Sequence, residues 1–190
     1  TVEAFLAACG GLRIECPCTG PYGGTAPGFY GLLPDGTAVV ELAAAAGLPL
    51  AGTDLHPAEA TTYGVGQLMA HALSRGAKRL VLGLGGSATN DGGIGMLKAL
   101  GVRFLDENDV DAGEGGQALA KVSRIDISGL NPLLREAHIQ VACDVNNPLC
   151  GEIGSTYVYG PQKGVTENQK KQLDEDMAHF AQITSQALGT

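Results

Sequence analysis

The stretch Arg79-Leu-Val-Leu-Gly-Leu84, overlapping Gly83-Leu-Gly-Gly-Ser-Ala-Thr-Asn-Asp-Gly-Gly93, decides the fold. The first part is an apolar run of strand length, suited to a strand covered on both faces. The second part is too rich in glycine to continue a strand and reads as a loop. Helical spacing resumes from Ile94 to Leu100 and stops at Gly101, and Val102-Arg-Phe-Leu105 reads as the next strand. The order strand, loop, helix, strand predicts a parallel unit. Just upstream, Val65, Leu68, Met69, Ala72 and Leu73 share one helical face, and Gly76 ends that helix.

The first third has another character. Val2 to Cys9 has helical spacing, and Leu12 to Cys18 reads as a strand. Phe29 to Leu33 and Thr37 to Leu42 read as strands joined at Pro34-Asp-Gly36, a hairpin signal. Toward the other end, Asp106 to Gly116 is a polar loop, Arg124 to Ile127 a short strand, and His138-Ile-Gln-Val-Ala-Cys143 a strand. Thr166-Glu-Asn-Gln169 fits a capping box. The helix behind it should turn Leu173, Met177, Phe180 and Leu188 inward and end at Gly189. The expected fold is α/β with a mixed sheet, antiparallel in its first third and built of β-loop-α-β units thereafter.

The 190 residues fit a single domain or lobe. The opening Thr1-Val-Glu-Ala-Phe-Leu reads like the inside of a helix, so residues 1–190 are expected to be an internal fragment of a longer chain. Hydrophobic residues make up 44% and aromatics 5%, so the core rests on Ala, Val, Leu and Ile. A net charge of −8 argues against nucleic acid or an anionic membrane as partner. No apolar run is long enough to span a bilayer. The five cysteines are odd in number and match no zinc spacing, which points to free thiols and a cytoplasmic setting. The four histidines form no metal-binding pair pattern.

Chemistry is expected in the glycine-rich loop. It follows a buried strand, and in α/β sheets ligands bind at strand carboxyl ends. Glycines, Gly86 among them, let backbone amides approach an oxyanion, and the following helix start adds further amides. Ser87, Thr89 and Asn90 are side-chain donors. Asp91 can hold Mg²⁺, accept a hydroxyl proton or cap the helix. The plainer reading is a turn with an N-cap. A second cluster, Asp144-Val-Asn-Asn-Pro-Leu-Cys-Gly151, offers Asp144 and Asn146 at a strand end, or simply an Asx turn. Lys163, within Gly160-Pro-Gln-Lys-Gly164, is a candidate anion contact. Gly83-x-Gly85-x-x-Ala88, with Asp106 beyond, matches the dinucleotide fingerprint and suggests an NAD-dependent oxidoreductase as an alternative. Against it, Asn90-Asp-Gly-Gly93 would break the first helical turn. A non-catalytic ligand-sensing module is the other alternative.

Together these stretches resemble the type I glycerate kinase family. The resemblance rests on Gly83 to Gly93 continuing through Ala99-Leu-Gly-Val-Arg-Phe-Leu-Asp106, on Ala142-Cys-Asp-Val-Asn-Asn-Pro-Leu149, and on Tyr159-Gly-Pro-Gln-Lys-Gly164. Lesser matches are Thr62-Tyr-Gly-Val-Gly66 and Ala38-Val-Val-Glu-Leu-Ala43. The resemblance implies a two-lobed α/β kinase that phosphorylates D-glycerate with ATP and Mg²⁺ in the cleft between its lobes. It places Ser87, Thr89, Asn90 and Asp91 on that cleft, with Asp144, Asn146 and Lys163 as further candidates. Asp91 and Asp144 are then the candidate catalytic carboxylates, and Asp91 the candidate metal ligand. The chain corresponds to the middle part of a member. An Asp-Ser-Phe-Lys-like strand end and Gly-Glu-Gly segments lie outside it, so the rest of the polypeptide is expected to complete the site and the isolated piece to be inactive.

Overall fold

The computed structural model describes residues 1–189. Helix α1 (Val2–Cys9) leads into strand β1 (Leu12–Glu15), the short pair β2 (Cys18–Thr19) and β3 (Thr25–Ala26), and the hairpin of β4 (Phe29–Leu32) with β5 (Thr37–Glu41). Three helices follow, α2 (Ala43–Ala46), α3 (Leu48–Ala51) and α4 (Tyr63–Ser74), then β6 (Arg79–Gly83) and α5 (Ile94–Ala99). A small hairpin of β7 (Arg103–Leu105) and β8 (Arg124–Asp126) precedes β9 (His138–Ala142), and helices α6 (Ser155–Tyr159) and α7 (Glu167–Leu188) close the order. No helix is long and apolar enough to cross a membrane among the described residues.

The main sheet has five strands in the order β1-β4-β5-β6-β9. Its first two pairings are antiparallel, and β5-β6 and β6-β9 are parallel. The expected mixed sheet is therefore present, with the antiparallel part first. The long strand expected from Leu12 to Cys18 is interrupted. Pro17 has no N–H for a ladder, and beyond it Cys18 pairs with Ala26 in a separate two-stranded sheet.

A larger difference concerns β7. The order strand, loop, helix, strand predicts that it lies parallel beside β6. Instead β7 leaves the main sheet and pairs antiparallel with β8. The parallel partners of β6 are β5 and β9, so the crossovers are longer than the local pattern implies. The reason is packing. Phe104 on β7 is buried, and its ring lies 5.7 Å from that of Phe180 on α7. It belongs to a second core with Ile94, Leu119, Val122 and Met177, away from the main sheet.

The main core holds Tyr30 and Val40 from the sheet, Leu80 and Leu82 from β6, and the Val65, Leu68, Met69, Ala72 and Leu73 face of α4. Leu173, Met177 and Phe180 of α7 are buried as expected, whereas Leu188 in the last turn is 68% exposed. The capping box is formed: Gln169 Oε1 accepts from Thr166 N at 3.0 Å.

Helices α4 and α5 cross at backbone contact. A Cβ on Gly66 would lie 2.2 Å from the Met96 carbonyl oxygen. Alanine raises helix propensity by about 1 kcal/mol over glycine, but overpacking against backbone costs about 1–3 kcal/mol, and here the obstacle cannot rotate away. Gly66→Ala is expected to destabilise the protein by about 1–2 kcal/mol net, read as a lower urea midpoint at unchanged slope. A stabilised variant would contradict the close crossing.

Candidate functional site

The register across β5, β6 and β9 aligns Glu41, Gly83 and Ala142. Three strands thus end at one edge of the sheet. The loop from Leu84 to Gly93 and the segment from Cys143 onward leave that edge side by side. Between them and the α6–Lys163 segment lies a cavity of about 470 Å³. Gly86, Ser87, Thr89, Asn90, Asp91, Asp144 and Lys163, all singled out in the sequence, line it. Asn146 is not among the lining residues and is exposed. Its neighbour Asn147 instead ties the segment together, donating to the Ile153 carbonyl at 2.9 Å and accepting from the Tyr159 hydroxyl.

Asp91 is 2% exposed and accepts four hydrogen bonds. Oδ2 takes Thr62 N at 2.8 Å, Thr62 Oγ1 at 2.7 Å and Gly95 N at 3.3 Å, and Oδ1 takes Gly93 N at 3.1 Å. Burial pushes its carboxyl pKa up, with these hydrogen bonds opposing the rise. The carboxylate joins the amino ends of α4 and α5. Thr62 completes the link, because its Oγ1 also accepts from Met96 N at 2.9 Å.

This arrangement corrects one expectation. The amides at the start of α5 are not free for a ligand. Those of Gly93 and Gly95 go to the Asp91 carboxylate, Ile94 N to the Asp91 carbonyl at 3.0 Å, and Met96 N to Thr62. Each orphan donor of the helix start already has a protein acceptor. The open donors lie earlier. Among the described residues, the Ser87 and Thr89 hydroxyls and the Gly85, Gly86 and Thr89 amides have no hydrogen-bond partner. Ser87 and Thr89 are nonetheless buried, at 9% and 4% exposure. No buried side-chain nitrogen or oxygen among the described residues lacks a partner, so these hydroxyls open onto the cavity, as do the exposed Gly85 and Gly86.

The outer part of this loop is held firmly. Ala88 N donates to Ala46 O at 2.8 Å and Gly86 O accepts from Leu48 N at 3.0 Å, a bridge to the α2–α3 corner. Lys163 Nζ donates to Thr89 O at 2.7 Å. Burial pulls its ammonium pKa down, and attraction to Asp91 pulls it partly back up. Lys163 is the one Lys or Arg among the described residues that line the cavity. Asn90 contacts Thr156 of α6 through a long bond of 3.4 Å.

The dinucleotide alternative fails on geometry. Its glycines should open a helix, but residues 84–93 are loop and α5 starts only at Ile94. Asp106 follows a strand outside the main sheet, and its Oδ1 accepts from Asn108 N and Val110 N in a local turn.

Fold and cavity together define an α/β protein with a mixed sheet and a cavity at its strand carboxyl ends. Comparison with known proteins sharpens this: the chain matches the glycerate kinase family over residues 1–190 and belongs to it. It is 49% identical over 191 residues to a glycerate kinase of Haemophilus influenzae, covering 100% of this chain and 50% of that protein. It is 44% identical over 190 residues to the glycerate 2-kinase of Escherichia coli, covering 99% of this chain and 50% of that protein. A crystal structure provisionally assigned as glycerate kinase 2 from Salmonella typhimurium LT2 superposes with a TM-score of 0.96 at 43% identity, covering 100% of this chain and 51% of that one. The chain thus spans about half the length of the relatives it matches.

Sequence reasoning did not single out Thr62 or Tyr159 as site residues. Thr62 carries a signal, since a threonine just before a helical pattern reads as an N-cap. Its hydroxyl reaches across to the next helix instead. Tyr159 carries no local signal, because only the fold brings α6 to the cavity.

Asp91→Asn places an NH₂ group among donors and leaves buried amides unpaired, each at about 1–3 kcal/mol. The expected result is a loss of about 2–4 kcal/mol in denaturant unfolding. An unchanged midpoint would show that Asp91 does not hold the two helices.

Proposed function

We propose that the complete polypeptide is a kinase that moves the γ-phosphoryl group of ATP to a hydroxyl of D-glycerate, with Mg²⁺. Residues 1–190 supply one wall of its cleft, and the rest of the polypeptide supplies the other. The observation that carries this reading is the set of partnerless donors from Gly85 to Thr89 facing a cavity beside its one lining cation, Lys163. Such a set suits a carboxylate or phosphate oxygen. The cavity of about 470 Å³ is of ligand-site size. The names of the relatives supply the substrate.

Phosphoryl transfer needs alignment and charge neutralisation more than covalent chemistry. In this reading the Gly85 to Thr89 donors and Lys163 hold and orient the anionic end of the substrate. Asp144 is the carboxylate left open to the cleft, since Asp91 is engaged by four donors. Asp144 therefore takes the role of orienting the acceptor hydroxyl or contributing to Mg²⁺ binding. No group of three or more His, Cys, Asp or Glu side chains gathers among the described residues. Mg²⁺ is commonly held by one or two carboxylates plus substrate phosphates, and bound there it would neutralise charge on the phosphate oxygens. The five free cysteines suit a reducing cytoplasm, and burial pushes the Cys18 thiol up to about 11.

Glycerate-dependent ADP release by the full-length protein tests the reading, and no release would reject it. Within that enzyme, Gly85 has open space where its Cβ would be. Gly85→Ala is expected to keep the melting temperature and raise KM or lower kcat about tenfold, by placing a methyl in the ligand's path. Full activity would remove this loop from the binding surface.

Lys163 gives a pH test. Its lowered pKa means that the ammonium is lost on the alkaline side, below the ordinary lysine range. Affinity for an anionic substrate should fall as pH rises through that lowered value. Lys163→Arg should flatten the fall, because arginine stays charged. An identical profile in both proteins would exclude Lys163 as the anion's partner.

A further inference from the structure

The two edges of the main sheet differ in kind. At one edge, β1 carries Arg13 and Glu15, and Arg13 pairs with both Glu15 and Glu3 at 2.7 Å. Charged side chains of this sort keep a sheet edge from recruiting another strand. At the other edge, β9 reads His138-Ile-Gln-Val-Ala142, with no Lys, Arg, Asp or Glu. All five of its residues are exposed, Val141 at 51%. Parallel strands are normally buried on both faces, as β5 largely is here. β9 is parallel to β6 in full register, yet nothing among the described residues covers it.

The hydrogen-bond phase identifies the open groups. His138 N donates to Lys78 O, and Ala142 O accepts from Leu84 N. Alternate residues of a parallel strand turn their backbone to alternate sides. His138, Gln140 and Ala142 therefore face β6, and Ile139 and Val141 direct N–H and C=O along the free edge. Exposed apolar side chains continue beyond the strand at Val145, Leu149 and Ile153.

We infer that β9 is not an edge in the complete protein: a β-strand from the half of the family polypeptide outside residues 1–190 pairs with it along Ile139 and Val141. The relatives are about twice as long as this chain, which leaves roughly half of each to occupy such a surface. This deepens the proposed function, on which it rests, because β9 runs directly into Cys143 and Asp144 at the cavity. The paired strand would bring the second half of the protein against the mouth of the cleft at Asp144.

Amide hydrogen exchange on the full-length protein, resolved at Ile139 and Val141, tests the inference. Slow exchange comparable to Leu80 and Leu82, unchanged on dilution to the monomer, is expected. Fast exchange at both amides would overturn it. Protection that disappears on dilution would also overturn it, since the occupant would then be a second copy. In the same protein, Val141→Lys should lower the melting temperature by about 5 °C or more, because lysine suits a free edge but not a covered one. An unchanged melting temperature would contradict the inference. The exchange result does not depend on turnover, so a failed kinase assay with protected amides would reject the proposed function and leave the pairing intact.

Discussion

The Asp91 carboxylate is the constraint on which the site depends. It lies buried at the amino ends of α4 and α5 and collects four hydrogen bonds from Thr62, Gly93 and Gly95. A buried carboxylate is costly unless so satisfied. Its burial is offset by donors that would otherwise be orphans at two helix starts. The consequence reaches up the loop. With residues 91–96 fixed at one end and the Gly86–Ala88 bridge to the α2–α3 corner at the other, the segment between has little freedom. Within it the Thr89 amide and hydroxyl have no protein partner and line the cavity.

This division of labour along one loop connects fold to function. The sheet supplies the edge where β5, β6 and β9 end together. The loop's downstream part is structural and its upstream part is open to the cavity. Lys163 closes the arrangement from the far side. It reaches Thr89 O from a turn 74 residues away in sequence, and so links the α6–α7 connection to the donor loop. Binding, on this account, needs little rearrangement of the wall described here.

Much of the local structure was legible in the sequence. The hairpin at Pro34-Asp-Gly36, the α4 face and its Gly76 stop, α5 and the capping box at Thr166 all follow rules that act within a few residues. Pairing partners were not legible. The sequence around β7 looks like the return strand of a parallel unit, but Phe104 finds its burial against Phe180, whose position is set by a helix some seventy residues later. The site divides in the same way. Asp91 was visible as a helix cap, a metal ligand or a base, and only its partner Thr62, brought in by the α4–α5 crossing, favours the first. Asn146 looked as suitable as Asp144, yet two positions along the segment separate a residue on the cavity wall from one outside it.

The most direct measurement is amide chemical-shift mapping of the full-length protein on addition of D-glycerate. The account expects the largest changes at Gly85, Gly86, Ser87 and Thr89, with Gly93 and Gly95 nearly still because Asp91 already holds their amides. The largest changes at Gly93 and Gly95, with residues 85–89 silent, would contradict it.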